Sequence, residues 1–380
     1  MDVAELIKFI EFNSWLDYLI TVYLGSFFVQ LFFYFFFFTR IAFHKHQRFR
    51  GKYNPVSVII CAKNERDNLL EFLPLYLNQE YTNFEVIVVN DSSVDDTEDV
   101  LKAFALQYKH LKIVNVPDSD RFFGSKKFAL TLGIKAAKYN NLLLTDADCK
   151  PSSKYWIKYM SQYQKHKSIV LGFGAYEYKK GLLNKLIRFE TFYTALQYLS
   201  FSKAKIPYMG VGRNLAYYSD IFFKNKGFAT HQHILSGDDD LFINEVANKK
   251  NTQIVIHQDA YTVSNAKTTY KNWYRQKQRH LLTGSRYKFK HKFMLGLLQF
   301  SQLLFIGLFI ALVLMVRPVY LIVGVFVIRY LIQMLIFKLS ANKLGGKDLI
   351  ILSPLYEIFF MVFNPLLVIS NLIVKKTKWS

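Results

Sequence analysis

Through the middle of this chain, short continuous apolar runs alternate with stretches whose apolar residues recur at helical spacing. The runs are Val56–Ala62, Phe84–Asp91, Lys112–Val116 and Asn141–Asp148. The helical stretches between them include ERDNLLEFLPLYLNQE and SKKFALTLGIKAAKY. A strand that is apolar at nearly every position has both faces covered. The pattern therefore predicts an α/β domain with a mainly parallel sheet between helical layers.

Outside this middle part the apolar residues gather into longer blocks. Tyr18 to Phe38 carries no charge and is long enough to cross a bilayer as a helix. The segment before it, MDVAELIKFIEFNSWLD, is acidic and no small-residue cleavage site follows, so it reads as an uncleaved anchor. Three further blocks are 293–316, 319–337 and 349–374. Arg329 lies inside the second and must face protein, water or a headgroup. The third contains Glu357, Pro354 and Pro365, so it spans, kinks or turns back on itself.

Charge gives the orientation. Arg40, Lys45, Arg48, Arg50 and Lys52 follow the first block and put the next domain in the cytoplasm. Four full spans would leave the tail Lys375 to Lys378 on the opposite side, against the same rule, which favours a hairpin for the last block. Composition agrees with a membrane protein: 52% of residues are hydrophobic, 17% are aromatic and the net charge is +21. The two cysteines, Cys61 and Cys149, fall in the cytoplasmic part, where a structural disulfide is not expected.

The candidate chemistry gathers where the runs end. Asn64 and Glu65 follow the first run, Asp91 ends the second, and Asp146 and Asp148 end the fourth. Ligands of such sheets bind at the carboxyl ends of the strands. Asp146 and Asp148 are two apart, so on one strand they point the same way, and two adjacent carboxylates need a divalent cation, a basic side chain or water. No GxxxxGK[ST] loop and no full GxGxxG follows the first strand. GVGRN, Gly210 to Asn214, is a fragment of such a pattern, and its glycines suit a turn or a close approach to substrate. His231 and His233 have no third ligand in the nearby sequence, so they make a poor zinc pair.

VSVIICAKNERDNL, VIVVNDSSVDDT, GSKKFALTLG, TDADC, SGDDDLF and QKQRH, in this order, resemble the membrane-anchored family-2 glycosyltransferases. That group contains the cellulose, chitin and hyaluronan synthases and ceramide glucosyltransferase. The resemblance covers about residues 54 to 290 and implies a GT-A fold. It also implies that Glu65 and Asp91 contact the base and ribose of the donor, and that Lys126 sits near the nucleotide. Asp146 and Asp148 would hold Mg2+ or Mn2+, with Asp146 also near the donor. In SGDDDLF the register that aligns Asp240-Leu241 makes Asp238 the catalytic base, and Asp239 is one position away. QKQRH resembles QxxRW. Gln276 and Arg279 would address acceptor and diphosphate, Trp273 would give an aromatic floor, and His280 replaces the usual tryptophan.

The resulting layout has an N-terminal segment 1–17, an anchor 18–43, a basic linker 44–52 and a GT-A domain 53–270. A basic interfacial helix 271–292 follows, then spans 293–316 and 319–337, a transmembrane or re-entrant segment 349–374 and a basic tail 375–380. The expected activity is inverting transfer from a nucleotide-sugar, a UDP-sugar foremost, to a lipid or lipid-linked hydroxyl at the membrane. In a bacterium this would be the inner membrane and the product a cell-envelope glycan. Nucleic acid is not an expected partner, and an oligomer is compatible. Three or four helices favour single transfer over a processive polysaccharide synthase. A metal-dependent nucleotidyl- or phosphotransferase would use the aspartates but not QKQRH. A non-enzymatic basic membrane protein would use neither.

Overall fold

The computed structural model describes residues 14–45, 54–116, 126–163, 166–234, 236–315 and 319–373. The basic residues Arg48, Arg50 and Lys52, the segment before residue 14 and the tail Lys375 to Lys378 lie outside them.

Helix α1 runs Trp15–Ala42 and widens to a π-helix at Phe33–Phe38. The alternating unit then reads β1 Val56–Ala62, α2 Arg66–Leu77, β2 Phe84–Asn90, α3 Thr97–Gln107, β3 Leu111–Asn115, α4 Lys126–Ala136 and β4 Asn141–Asp146. Next come β5 Cys149–Pro151, α5 Trp156–Met160, β6 Ile169–Leu171, β7 Gly174–Tyr176 and the long α6 Leu182–Lys203. They are followed by β8 Leu215–Tyr218, α7 Ser219–Lys224, α8 Asp240–Val246, β9 Thr252–Ile254, β10 Thr262–Ser264 and α9 Tyr270–Gly284. Three apolar helices end the described chain: α10 Phe289–Met315, α11 Tyr320–Leu344 and α12 Ser353–Ile373.

Seven strands form the main sheet in the order β3-β2-β1-β4-β8-β6-β9. The β3-β2-β1-β4 half is parallel throughout, and β8 pairs antiparallel with both β4 and β6. Alternation along the strands separates two buried layers. Ile59, Ile87, Val89, Leu142 and Leu144 face one core. Val58, Ile60, Val86, Val88 and Leu143 face the other, under α2. Helix α4 lies close on the first layer because Gly133 has no side chain; a Cβ there would stand 2.7 Å from Val89 and 2.8 Å from Ile59.

The first core does not stop at the sheet. It takes in Phe33, Phe37 and Phe38 of α1 and Phe337 of α11, packed on α6. Phe37 stacks on Phe201 with centroids 4.2 Å apart, and Phe192 meets Phe337 at 5.7 Å. The apolar helices are therefore built into the domain.

Arg329 is fully buried and faces protein. Its guanidinium grips both oxygens of Glu357 at 2.9 and 2.5 Å and donates to Gln30 at 2.8 Å. The last apolar block is one continuous helix through Pro365, which corrects the hairpin expected from the tail charge. It lies beside α9. Trp273 stacks on Phe363, and the Tyr274 hydroxyl donates to Ser370 at 2.7 Å.

Candidate active site

Register sets the floor of the site. In the parallel pairing Cys61 stands opposite Asp146 and Ala62 opposite Asn90, so β1, β2 and β4 end level at one edge. Asp91 follows β2 there and is 3% exposed. Its Oδ2 has no hydrogen-bond partner among the described residues. Burial raises its proton affinity against the pull of Lys63. Glu65 starts α2 beside it and accepts from Asn68 at 2.5 Å.

Asp146 is the last residue of β4, whereas Asp148 lies in the turn before β5. The two acids therefore do not share a strand face as the alternation argument expected. Pairing with β1 ends at Asp146, and Cys149 pairs instead with Ser264 in the small sheet. The turn buries Ala147 and still turns both carboxylates together. Ligand atoms of Asp146, Asp148 and Cys149 lie within 4.8 Å of one another. The Cys149 thiol is occupied by Ser264 at 2.9 Å, which leaves two carboxylates. A pair of hard oxygen donors fits Mg2+ or Mn2+.

Lys126 opens α4 and reaches across the cleft. Its ammonium meets Asp146 at 2.7 Å and Asp238 at 3.0 Å, so two acids from distant chain segments share one cation. Burial works against that ammonium, but Asp146, Asp238 and Asp239 together hold its proton more tightly than usual. Its neighbour Lys127 is buried and ties down the loop before the acids, donating to the His231 and Ile234 carbonyls at 2.6 and 3.0 Å.

The three consecutive acids have three environments. Asp238 faces Lys126, which together with hydrogen bonds more than offsets burial and leaves its proton affinity lowered. Asp239 caps α8, accepting from the Asp240 amide at 2.7 Å and the Gly212 amide at 2.6 Å. Burial, then Asp238 and Asp240, push its carboxyl up to about 7. Asp240 points the other way, into Thr283 and the Tyr287 hydroxyl, the latter at 2.7 Å.

The GVGRN segment does several jobs. Gly212 brings its amide to Asp239. Asn214 is fully buried and ties the Phe173 and Ala260 carbonyls, each at 2.8 Å. Arg213 lies over Tyr176, 4.5 Å from the ring centroid. Its path exists because Gly174 has no side chain; a Cβ there would sit 2.4 Å from the Arg213 Nε. The glycine reading of GVGRN passed over Arg213, although a lone arginine among small and apolar residues was a visible signal.

Helix α9 forms the far wall, and Gln276, Arg279 and His280 all line the cleft. Gln276 approaches the Tyr176 hydroxyl at 3.4 Å. Arg279 makes no hydrogen bond or ion pair among the described residues, and burial lowers its proton affinity. His280 is open to the cleft, yet burial and then Lys277, Arg279 and Arg213 hold it well below the usual imidazole range. Lys277, absent from the expected set, pairs with Glu190 at 2.5 Å. Trp273 also borders the cleft, but it is 2% exposed and stacks on Phe363 at 4.9 Å, packing α9 against α12. His231 accepts or donates at Thr230 and lies 3.8 Å from Glu245, away from any metal cluster among the described residues.

Residues 57–223 match the family model described as Glycosyl transferase family 2. An uncharacterized glycosyltransferase of Haemophilus influenzae is 32% identical over 121 residues, 32% of this chain and 36% of that protein. A beta-monoglucosyldiacylglycerol synthase of Nostoc is 27% identical over 150 residues, 39% of this chain and 31% of that protein. The chain thus spans about a third of the length of these curated relatives. A mannosyltransferase from Pyrobaculum calidifontis, solved with GDP-Man and Mn2+, superposes with a TM-score of 0.58 at 17% identity. That likeness of fold covers 90% of this chain and 98% of the other.

Proposed function

We propose, from the premise that this chain carries a family 2 glycosyltransferase domain in a GT-A fold fused to apolar helices, that it moves a sugar from a nucleotide-sugar to a hydroxyl on a membrane lipid or lipid-linked glycan. One observation carries the reading. Acids from three separate parts of the chain, Asp91, Asp146 with Asp148, and Asp238 to Asp240, line a single cleft that continues between apolar helices.

Donor binding falls to the sheet edge. The unpartnered Asp91 Oδ2 and the Glu65 carboxylate accept from the base and ribose. Asp146 and Asp148 hold Mg2+ or Mn2+, and a cation bound there would neutralise charge on the departing diphosphate. Lys126 and the unpaired Arg279 supply fixed positive charge to the same group. A UDP-sugar is the favoured donor.

Transfer proceeds by inversion. The acceptor oxygen attacks the anomeric carbon, the bond to the diphosphate breaks, and one carboxylate takes the acceptor proton. The family register points to Asp238, but two features favour Asp239. Its proton affinity is close to neutrality, where a general base works best, and two backbone amides fix its position. Asp238 is engaged by Lys126.

The acceptor side rests on the apolar helices and on the similarity to a beta-monoglucosyldiacylglycerol synthase. Arg40 and Lys45 at the domain end of α1, with the further basic residues after them, favour a cytoplasmic active site. The test is to place the full chain in phospholipid vesicles with a panel of nucleotide-sugars. Release of a nucleoside diphosphate that needs a divalent ion, with sugar recovered in the lipid extract, is expected. Release of pyrophosphate instead would overturn the reading in favour of nucleotidyl transfer.

A further inference from the structure

Resting on that reading, we infer that the helix-lined half of the cleft is an acceptor chamber for an uncharged lipid head bearing hydroxyl and carbonyl oxygens, as in acyl glycerols and their glycosides, and not for a lipid phosphate.

The cavity measures about 1290 Å³. Pockets for one small ligand run to about 300–1,000 Å³, so there is room beyond the donor for a second molecule. From the acids the cavity continues between α6, α9, α10, α11 and α12 as far as Glu357.

Its walls there carry hydrogen-bonding groups with nothing to bond. Asn364 of α12, half-buried, and Gln299 of α10, exposed, line it and have no protein partner among the described residues. Gln333 is fully buried on the same wall. Its carbonyl accepts from Arg329, yet its amide nitrogen has no acceptor among the described residues. Carboxamides are costly in helices as apolar as these unless something satisfies them. Pro365 also lines the cavity. Having no N–H, it cannot donate to the Met361 carbonyl one turn back. The wall therefore offers donors for ester or hydroxyl oxygens and an acceptor for a hydroxyl proton.

Charge decides against an anion. Both Glu357 oxygens are held by Arg329, and Gln302 adds a bond at 2.7 Å. The Lys277 ammonium is engaged by Glu190. At the rim, Lys292 donates to the Ser285 carbonyl at 3.3 Å. A phosphate head would find Lys277 and Arg329 already paired, would compete with the donor diphosphate for Arg279, and would face Asp238 to Asp240 at the reacting end. A neutral head meets neither cost, and its hydroxyl can lose its proton to a carboxylate.

The experiment uses the full chain in phosphatidylcholine vesicles containing diacylglycerol, a monoglucosyl diacylglycerol, phosphatidic acid or a polyprenyl phosphate, with the nucleotide-sugar panel. Lipid products are read by mass spectrometry. Sugar is expected on one or both neutral glycerides and on neither phosphate lipid. Gln299→Leu and Asn364→Leu, with an unchanged melting midpoint, are expected to raise the acceptor KM about five- to tenfold and leave the donor KM unchanged. A phosphate lipid that accepts sugar as well as the glycerides, or an acceptor KM unmoved in both variants, overturns the chamber while leaving the transferase reading intact. A chain that splits no nucleotide-sugar removes both.

Discussion

Asp238 and Asp239 are adjacent in sequence but differ in surroundings, and rate measurements can tell them apart. A base acts as the carboxylate, so a group titrating near 7 is protonated and idle below that pH. With Asp239 as base, kcat/KM is expected to fall as pH drops through about 7. Asp239→Asn should cost about 10²- to 10⁴-fold and abolish that limb. Asp238→Asn should retain the limb but move it to lower pH, because the Asp238 charge helps to raise Asp239. A pH–rate profile of the three proteins checks this. The acids themselves were legible in the sequence because they end apolar runs or cluster. Their partners were not. Nothing in GSKK announces that Lys126 will bridge Asp146 and Asp238, since the three residues meet only through the tertiary fold. The packing of Trp273 was hidden for the same reason: the residue that covers it, Phe363, lies 90 positions away.

Elements were easier to read than contacts. The four strands of the parallel half sit where the apolar runs are, because a run buried on both faces needs helices on both sides. The turn at Ala147 and Asp148 was missed because period two persists across it; the end of pairing with β1 stops the strand there, and no breaker residue does. Packing makes a sharper demand on α4. Gly133→Val would drive its side chain into Val89 and Ile59, and overpacking of this kind costs about 1–3 kcal/mol. A lower melting midpoint by scanning fluorimetry is the expected result. The last helix was legible as apolar, but its course beside α9 depends on Phe363 and Ser370 finding Trp273 and Tyr274.

At the scale of the whole molecule, Arg329 and Glu357 join two helices whose other side chains are mostly apolar. Sequence flagged Arg329 as a charge needing company and noted Glu357 in the last block, but did not pair them. Glu357→Gln leaves a buried guanidinium without its counter-ion and is expected to cost about 3–5 kcal/mol. The double change Arg329→Met with Glu357→Met should recover most of that loss, measured as the temperature at which the detergent-solubilised protein inactivates. The aromatic contacts between α1, α6 and α11 bear on the molecule differently. Phe37 on Phe201 and Phe337 on Phe192 make the anchor part of the fold's interior. Trimming the chain to its sheet and surrounding helices, to obtain a water-soluble fragment for crystallisation or screening, would uncover a bare aromatic stripe along α6. Such a fragment would stick to its own copies, and the detergent or lipid disc that carries the intact chain is part of any faithful preparation.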